Sequence, residues 1–407
     1  MSKINSLVLT QCEYFAICNG CNQWNISSSD EQKNKLKYLK NLMKETLPQT
    51  NDSRNIMFPE VGWTSNFEFG QRHRFDFTLD FTTQQISPAP LMGLYNSQRE
   101  LIEITKCLQL SPELQNVFYE FRTLTQKHLT TRLQNKGSIR LRVGPSGLKG
   151  CWFDLSNIDI KFLLNDFEYF NQLIEADFKI EIGQKGKSLQ KISTANNSFL
   201  FKLKDPVPQI WFQAYNKDNQ PYNLQGLISD FTQPSWKSAQ NLTEKINLWI
   251  SQIKKTSSSN GQPHKAIEFG SGLGQFTIPL LSWGYQVNAY EYSAQATQLL
   301  QKNVDHFSTA APISIFTGDY HKQPIHLNEK IDIALVNPPR SGLKLFANEL
   351  VKINAENCFY ISCFPESMVE DLKVLAEGGY NLLDIQIVNQ FPKTTHFETC
   401  VWLQRSP

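Results

Sequence analysis

The chain has 407 residues, enough for two or three domains at roughly 100–200 residues each. Lys plus Arg number 40 against 38 Asp plus Glu, a net charge of +2, and only 19% of residues are charged. That balance excludes a strongly basic nucleic-acid coat protein and an acidic disordered chain, but not a local basic patch. The first residues, MSKINSLVLTQCEYF, lack a signal-peptide core, and no run of ~18 apolar residues exists. The expectation is a cytoplasmic, globular protein with no membrane contact. Its eight cysteines would stay reduced there, which points to metal ligation or catalysis.

In chain order, Cys12, Cys18 and Cys21 come first, spaced C-x5-C-x2-C. Three thiolates this close can wrap one inorganic centre, an iron–sulfur cluster or a structural zinc, given a fourth ligand. Cys107, within ELIEITKCLQLSP (100–112), is the candidate fourth; three unrelated reduced thiols are the alternative. A charged stretch over about 30–47 follows, with Leu36, Leu39, Leu42 and Met43 at helical spacing. From about Phe58 to Leu227, short runs such as RFDFTLDF (74–81), IRLRV (139–143), CWFDL (151–155) and FLFKL (199–203) alternate with Gly, Pro and Asn. This predicts a mostly antiparallel β domain. Its two acid-free stretches, Phe121 to Phe153 and Gly183 to Lys204, hold twelve Lys and Arg residues that suit phosphate contacts. They include Arg122, Lys136, Arg140, Arg142, Lys149, Lys187 and Lys191. Phe69, Phe75 and Phe77, beside Arg72 and Arg74, suit stacking on unpaired bases, although some of them must fill a β core.

Past Phe231 the texture changes. A helix over about 235–253 and a loop over 254–264 lead to strands KAIEF (265–269), QVNAYE (286–291), ISIFTG (313–318), IDIALV (331–336), CFYISC (358–363) and NLLDIQIV (381–388), separated by helical segments. Such alternation predicts an α/β fold with a mainly parallel sheet covered on both faces. The expected division is residues 1–228 and 229–407, with the helix near 30–47 free to pack on the second part. Gly270, Gly272 and Gly274 follow the first strand as G-x-G-x-G; glycines here permit a sharp turn and close approach to a ligand. Glu291, 21 residues after Gly270, ends the next strand, where an acid accepts ribose hydroxyls. Asp319 follows the third strand, where such folds contact an adenine edge. With Glu268 before the turn, the segment resembles the S-adenosylmethionine site of class I (Rossmann-like) methyltransferases; a nicotinamide-dependent oxidoreductase is the nearest rival.

The fourth strand runs into VNPPRSGL (336–343), the fifth into YISCFP (360–365), and FPKTTHFET (391–399) lies near the C terminus. Asn337-Pro338-Pro339 alone suggests N-methylation. Cys363 and Glu398, taken singly, read as a core thiol and a surface acid. Together over a methyl donor they suit carbon methylation of a pyrimidine: a thiolate adds to C6 to activate C5, and a base removes the C5 proton.

At this point the motifs NPPRSG, SCFP and FPKTTHFE resemble those of the S-adenosylmethionine-dependent RNA 5-methyluridine methyltransferases, over nearly the whole span from Cys12 to Glu398. The resemblance implies Cys363 as nucleophile and Glu398 as base. It implies donor contacts by Gln233 (in FTQP, 231–234), Gly270, Gly272, Gln275, Glu291, Asp319 and Asn337. It also implies a [4Fe-4S] cluster on Cys12, Cys18, Cys21 and Cys107, in an iron–sulfur and RNA-binding central domain. With eleven residues before Cys12, the compact branch lacking an N-terminal oligonucleotide-binding barrel is expected, acting as a monomer on 23S ribosomal RNA. Transfer RNA, an N-methyltransferase and a non-catalytic RNA-binding protein are the alternatives. Phe364 stands where the family usually has Asn, and Gly270 where it often has Phe.

Overall fold

A computed structural model describes residues 12–47, 59–65, 69–82, 89–130, 135–155, 160–193, 199–256, 264–307, 309–322, 325 and 330–406. Arg132 and most of the loop over 254–264 lie outside them. In chain order the elements begin with α1 (Ser28–Thr46), β1 (Val61–Thr64), β2 (Arg74–Asp80), β3 (Leu91–Tyr95), β4 (Leu101–Glu103), α2 (Pro112–His128), β5 (Lys136–Val143), β6 (Lys149–Asp154), α3 (Ile160–Leu164), α4 (Phe167–Glu175), β7 (Phe178–Ile182), β8 (Lys187–Ser193) and β9 (Phe199–Lys204). They continue with β10 (Gln209–Tyr215), β11 (Pro221–Gly226), α5 (Trp236–Thr256), β12 (Lys265–Phe269), α6 (Thr277–Ser282), β13 (Gln286–Glu291), α7 (Ala294–Phe307), β14 (Ile313–Thr317), β15 (Ile333–Val336), α8 (Phe346–Ile353), β16 (Asn357–Ser362), α9 (Pro365–Glu377), β17 (Tyr380–Val388) and β18 (Glu398–Arg405).

Two compact units form. One comprises Met1–Glu31, Phe67–Trp211 and Leu227–Ser235; the other comprises Gln32–Asn66, Phe212–Gly226 and Trp236–Pro407. The units interleave along the chain rather than meeting at one point near residue 228. The first unit is built on an eight-stranded sheet, β4-β3-β2-β5-β6-β7-β8-β9. Its pairings are antiparallel except β6 with β7, whose crossover carries α3 and α4. Phe75 and Phe77 are buried there against Phe118, with ring centroids 5.2 and 5.4 Å away. They fill the core and offer no face to a base, because alternate positions of a half-buried strand point inward.

The second unit has an eight-stranded sheet in the order β1-β17-β18-β16-β15-β12-β13-β14. Strands β14, β13, β12, β15 and β16 are parallel, whereas β18 runs antiparallel between β16 and β17. Apolar clusters cover both faces. Trp249 of α5, Ile278 of α6 and Leu300 of α7 pack on one side; Leu39 of α1, Leu350 of α8 and Leu372 of α9 pack on the other. Burial on both faces is why these strands read as continuous apolar runs. The strand order reverses beside β12, and ligands of such sheets bind at the carboxyl ends around that point.

Among the described residues, no helix is long and apolar enough to cross a membrane. The acid-free stretches of the sequence are not acid-free in space. Arg140 bonds Asp76 at 2.5 Å, Lys136 lies 2.8 Å from Asp80, and Lys149 lies 2.9 Å from Glu120. Arg122 pairs with Glu103 and Lys187 with Asp205. Lys191 meets Glu175, and Arg142 is buried, donating to the Leu227 and Asp230 carbonyls. Neighbouring strands, helices and the turn after β9 supply the acids, so much of the expected phosphate-binding charge is already offset.

Candidate active site

The carboxyl edge of the second unit's sheet is built from five strand ends. Gly270, Gly272 and Gly274 have φ of +81°, +55° and +106°, in or near the left-handed region that L side chains rarely adopt. A Cβ at Gly270 would sit 3.0 Å from the Asn337 carbonyl oxygen, so the turn closes against the end of β15 only without a side chain. The Gly272 N–H donates to Glu291 Oε2 at 3.0 Å, and the Ser293 N–H donates to Oε1 at 2.9 Å. Glu291 is thus fixed at the end of β13, and each oxygen keeps a lone pair for a ligand hydroxyl. Gln275 has a buried Nε2 with no hydrogen-bond partner, a donor that a ligand acceptor would satisfy. Asp319 follows β14 and accepts from the His321 N–H at 3.1 Å. Glu268 is fully buried and accepts from Thr277 Oγ1 at 2.6 Å; burial pushes its carboxyl up to about 7. These residues and Asn337 share one edge. Gln233 belongs to the first unit, where it is buried.

Beside this edge stands a second group. Cys363 directly follows β16 and Glu398 begins β18. Ser362 pairs with Thr399 in the antiparallel register, which carries the next two residues, Cys363 and Glu398, to the same end of adjacent strands. The turn after Cys363 is held by Ser362 Oγ, which accepts from the Phe364 N–H at 3.0 Å. This backbone clamp makes the turn without an amide side chain at Phe364. Burial pushes the Cys363 thiol up, and the Glu398 carboxylate adds to the effect; the Arg340 guanidinium beside it pulls the other way. Glu398 is buried, and burial pushes it up to about 8 against the bond from Gln390 and the charge of Arg340. Gln390 Nε2 donates to Glu398 Oε2 at 2.5 Å.

Arg340 and Gln390 are the residues that sequence reasoning missed. Arg340 sits inside the NPPR motif, a cation one step beyond a rigid Pro-Pro turn, and that was its available signal. Its loop is anchored by Asp371, which accepts from the Leu343 N–H at 2.6 Å, the Lys344 N–H at 3.1 Å and the Tyr360 hydroxyl at 2.5 Å. Gln390 gives no signal along the chain.

In the first unit, Cys12, Cys18, Cys21 and Cys107 line one cavity with Arg72, Gln109 and Trp24. The Gly20 N–H donates to Cys18 Sγ, and Gln109 Nε2 donates to Cys21 Sγ, both at 3.3 Å. Burial pushes Cys18, Cys21 and Cys107 up, Cys107 to about 12. Among the described residues, no three His, Cys, Asp or Glu side chains converge as a single metal ion requires. Cys151, Cys358 and Cys400 are core residues.

A model of the tRNA (uracil-5-)-methyltransferase family matches residues 321–406, the stretch that carries Asn337, Cys363 and Glu398. An uncharacterized RNA methyltransferase of Bdellovibrio bacteriovorus is 34% identical over 411 residues, covering 98% of this chain and 97% of that protein. The chain belongs to the RNA (uracil-5-)methyltransferase family. It is an S-adenosylmethionine-dependent enzyme. The 23S rRNA (uracil(1939)-C(5))-methyltransferase RlmD of Photorhabdus laumondii is 22% identical, covering 97% of this chain and 82% of that one. The solved tRNA (uracil-54, C5)-methyltransferase of Pyrococcus abyssi, in complex with S-adenosyl-L-homocysteine, is 17% identical with a TM-score of 0.63. It covers 95% of this chain and 86% of its own, so the two share a fold.

Proposed function

We propose that this enzyme methylates C5 of a uridine in 23S ribosomal RNA, with Cys363 as nucleophile and Glu398 as base. The observation that carries the reading is the β16–β18 register, which brings a thiol and a buried carboxyl together at the carboxyl edge of the sheet, with the Arg340 guanidinium beside them. The Cys363 thiolate, stabilised by Arg340, adds to C6 of the base, and the electrons of the C5=C6 bond pass to the O4 enolate. C5 then forms a bond to the methyl group as its bond to the donor sulfur breaks. Glu398 takes the C5 proton, the C5=C6 bond re-forms and the thiolate leaves. Burial holds Glu398 near working pH, where proton transfer in both directions is efficient. Gly270, Gly272, Gln275, Glu291, Asp319 and Asn337 are assigned to the methyl donor. S-adenosylmethionine supplies an electrophilic methyl group; the orphaned Gln275 amide and the open space beside Gly272 suit it.

Ribosomal RNA is preferred because the curated relatives with assigned substrates include RlmD enzymes. Transfer RNA is the second reading, supported by the family model and the archaeal enzyme. The four cavity cysteines are assigned to a [4Fe-4S] cluster. All four line one cavity, and N–H donors aimed at two of the sulfurs match what stabilises ligated thiolates. When bound, such a cluster would tie the N-terminal segment to the walls supplied by Leu94 and Ile104.

The test is incubation with the methyl donor and 5-fluorouridine RNA prepared from cells lacking the protein. Fluorine at C5 cannot be removed by a base, so the expected result is a covalent RNA–protein adduct at Cys363 that is lost in Cys363→Ala. Absence of the adduct would overturn the assignment. Mapping of modified uridines in the same cells decides between ribosomal and transfer RNA. An anaerobic preparation holding zinc and no iron would refute the cluster.

A further inference from the structure

Glu398 does not stand alone. Its Oε2 is engaged by Gln390 Nε2 at 2.5 Å, and Gln390 is itself buried, with its Oε1 lacking any partner. A buried amide with an unpaired oxygen carries a desolvation cost that an apolar side chain would avoid. Packing alone is therefore a poor reason for it. The two residues flanking Gln390 are held by a buried lysine from the far end of the sequence. Lys35 of α1 donates from Nζ to Asn389 Oδ1 at 2.7 Å and to the Phe391 carbonyl at 3.2 Å. α1 is further seated by Tyr38, which donates to Glu366 at 2.5 Å and meets the Phe397 ring edge-on at 6.5 Å. A helix 354 residues away in sequence thus fixes both sides of a residue that bonds the carboxyl.

We propose that Gln390 is a positioning residue for the base Glu398, and that Lys35 acts through it. This rests on the reading of Glu398 given above. An amide N–H bonds best to an ionised carboxylate, so Gln390 favours the form that accepts a proton. By occupying Oε2 it leaves Oε1 as the oxygen that meets the C5–H. The titratable groups facing Glu398 are Arg340 and Cys363 from neighbouring strand ends and Cys400 on its own strand. Arg340 works in the same direction as Gln390, and burial works against both.

Proton removal is the last chemical step, after methyl transfer, so losing Gln390 should stall the enzyme on its own methylated product. The experiment compares wild type, Gln390→Met, Lys35→Met and Lys35→Arg, using S-adenosylmethionine and total RNA from cells lacking the protein, between pH 6 and 9. Gln390→Met should move the acid limb of kcat up by about one pH unit, about tenfold in kcat at pH 7, with KM for RNA unchanged. An RNA adduct resistant to denaturation should accumulate with ordinary uridine RNA. Lys35→Met should show the same limb shift in smaller degree, and Lys35→Arg should restore it. A fall in kcat uniform across pH, or no adduct with uridine RNA, would overturn the proposal, because a fold defect lowers all rates alike. A wild-type enzyme that forms an adduct with 5-fluorouridine RNA beside an unaltered Gln390→Met profile removes Gln390 alone. A wild type that forms no such adduct removes the Glu398 reading and this one with it.

Discussion

Removing the Arg340 side chain isolates one electrostatic contribution to Cys363, the proposed nucleophile. The Arg340→Ala change should leave the loop in place, because its anchors are backbone groups. The Leu343 and Lys344 N–H groups donate to Asp371, and Ser367 Oγ donates to the Arg340 carbonyl at 2.9 Å. What disappears is a cation beside a thiol that burial and Glu398 both push toward the neutral form. A hydrogen bond to a charged group contributes about 1.5–3 kcal/mol. Arg340 is exposed, and solvent screening lowers that toward about 1–2 kcal/mol. The expected slowing of thiolate addition at neutral pH is therefore roughly 5- to 30-fold. The loss should shrink as pH rises, because the thiolate then forms without help. The assay is the single-turnover rate of adduct formation with 5-fluorouridine RNA between pH 6.5 and 9.5, at saturating methyl donor. A uniform loss across that range would mean that Arg340 grips the RNA instead of the thiolate. An unaltered rate would refute the electrostatic reasoning.

Three further outcomes are expected. In Glu398→Gln, methyl transfer to C5 should still occur while turnover falls at least ~100-fold, leaving methylated RNA bound to Cys363 on a denaturing gel; free methylated product at the normal rate would show that another group takes the proton. Gly342 has φ +73°, and a Cβ there would lie 2.6 Å from Asp371 Oδ2. Gly342→Ala should therefore cost about 2–3 kcal/mol from backbone strain and a displaced loop clamp, read as a lower urea midpoint. Glu268 has a folded-state value raised to about 7 from 4.5 by burial, so its contribution to stability is complete below about 4.5 and is lost as pH rises through about 7. Without methyl donor, Glu268→Gln should gain roughly 2.5 kcal/mol relative to wild type between pH 5 and pH 8; equal differences at the two values would contradict a buried, reluctant carboxylate.

Some of this site is written along the chain and some only across it. KAIEF and QVNAYE coincide with β12 and β13 because a strand buried on both faces is a short apolar run, and the glycines that stop the first also shape the turn. The meeting of Cys363 with Glu398 is different. It depends on β18 entering between β16 and β17, a strand order that no local pattern encodes. Sequence could bring the two together only through the resemblance of their motifs. Gln390 lies beyond even that, since a neutral amide before Phe391-Pro392 has no periodicity, charge or spacing to mark it.

The basic stretches failed for the converse reason. A run without acids along the chain need not lack them in space, where Coulomb's law acts. Asp76 faces Arg140 and Asp80 faces Lys136 across the β2–β5 register, 64 and 56 positions back in sequence, and each neutralises a cation that looked free. The near-neutral total is thus not two basic patches averaged against acids elsewhere; in the central sheet much of the cancellation is local. If this sheet contacts phosphates as proposed, it would do so through cations outside those pairs, such as exposed Lys127, Lys185, Lys202 and Lys204. Affinity for RNA should then fall with salt with a slope set by those few charges, far below what the twelve residues counted in sequence would give.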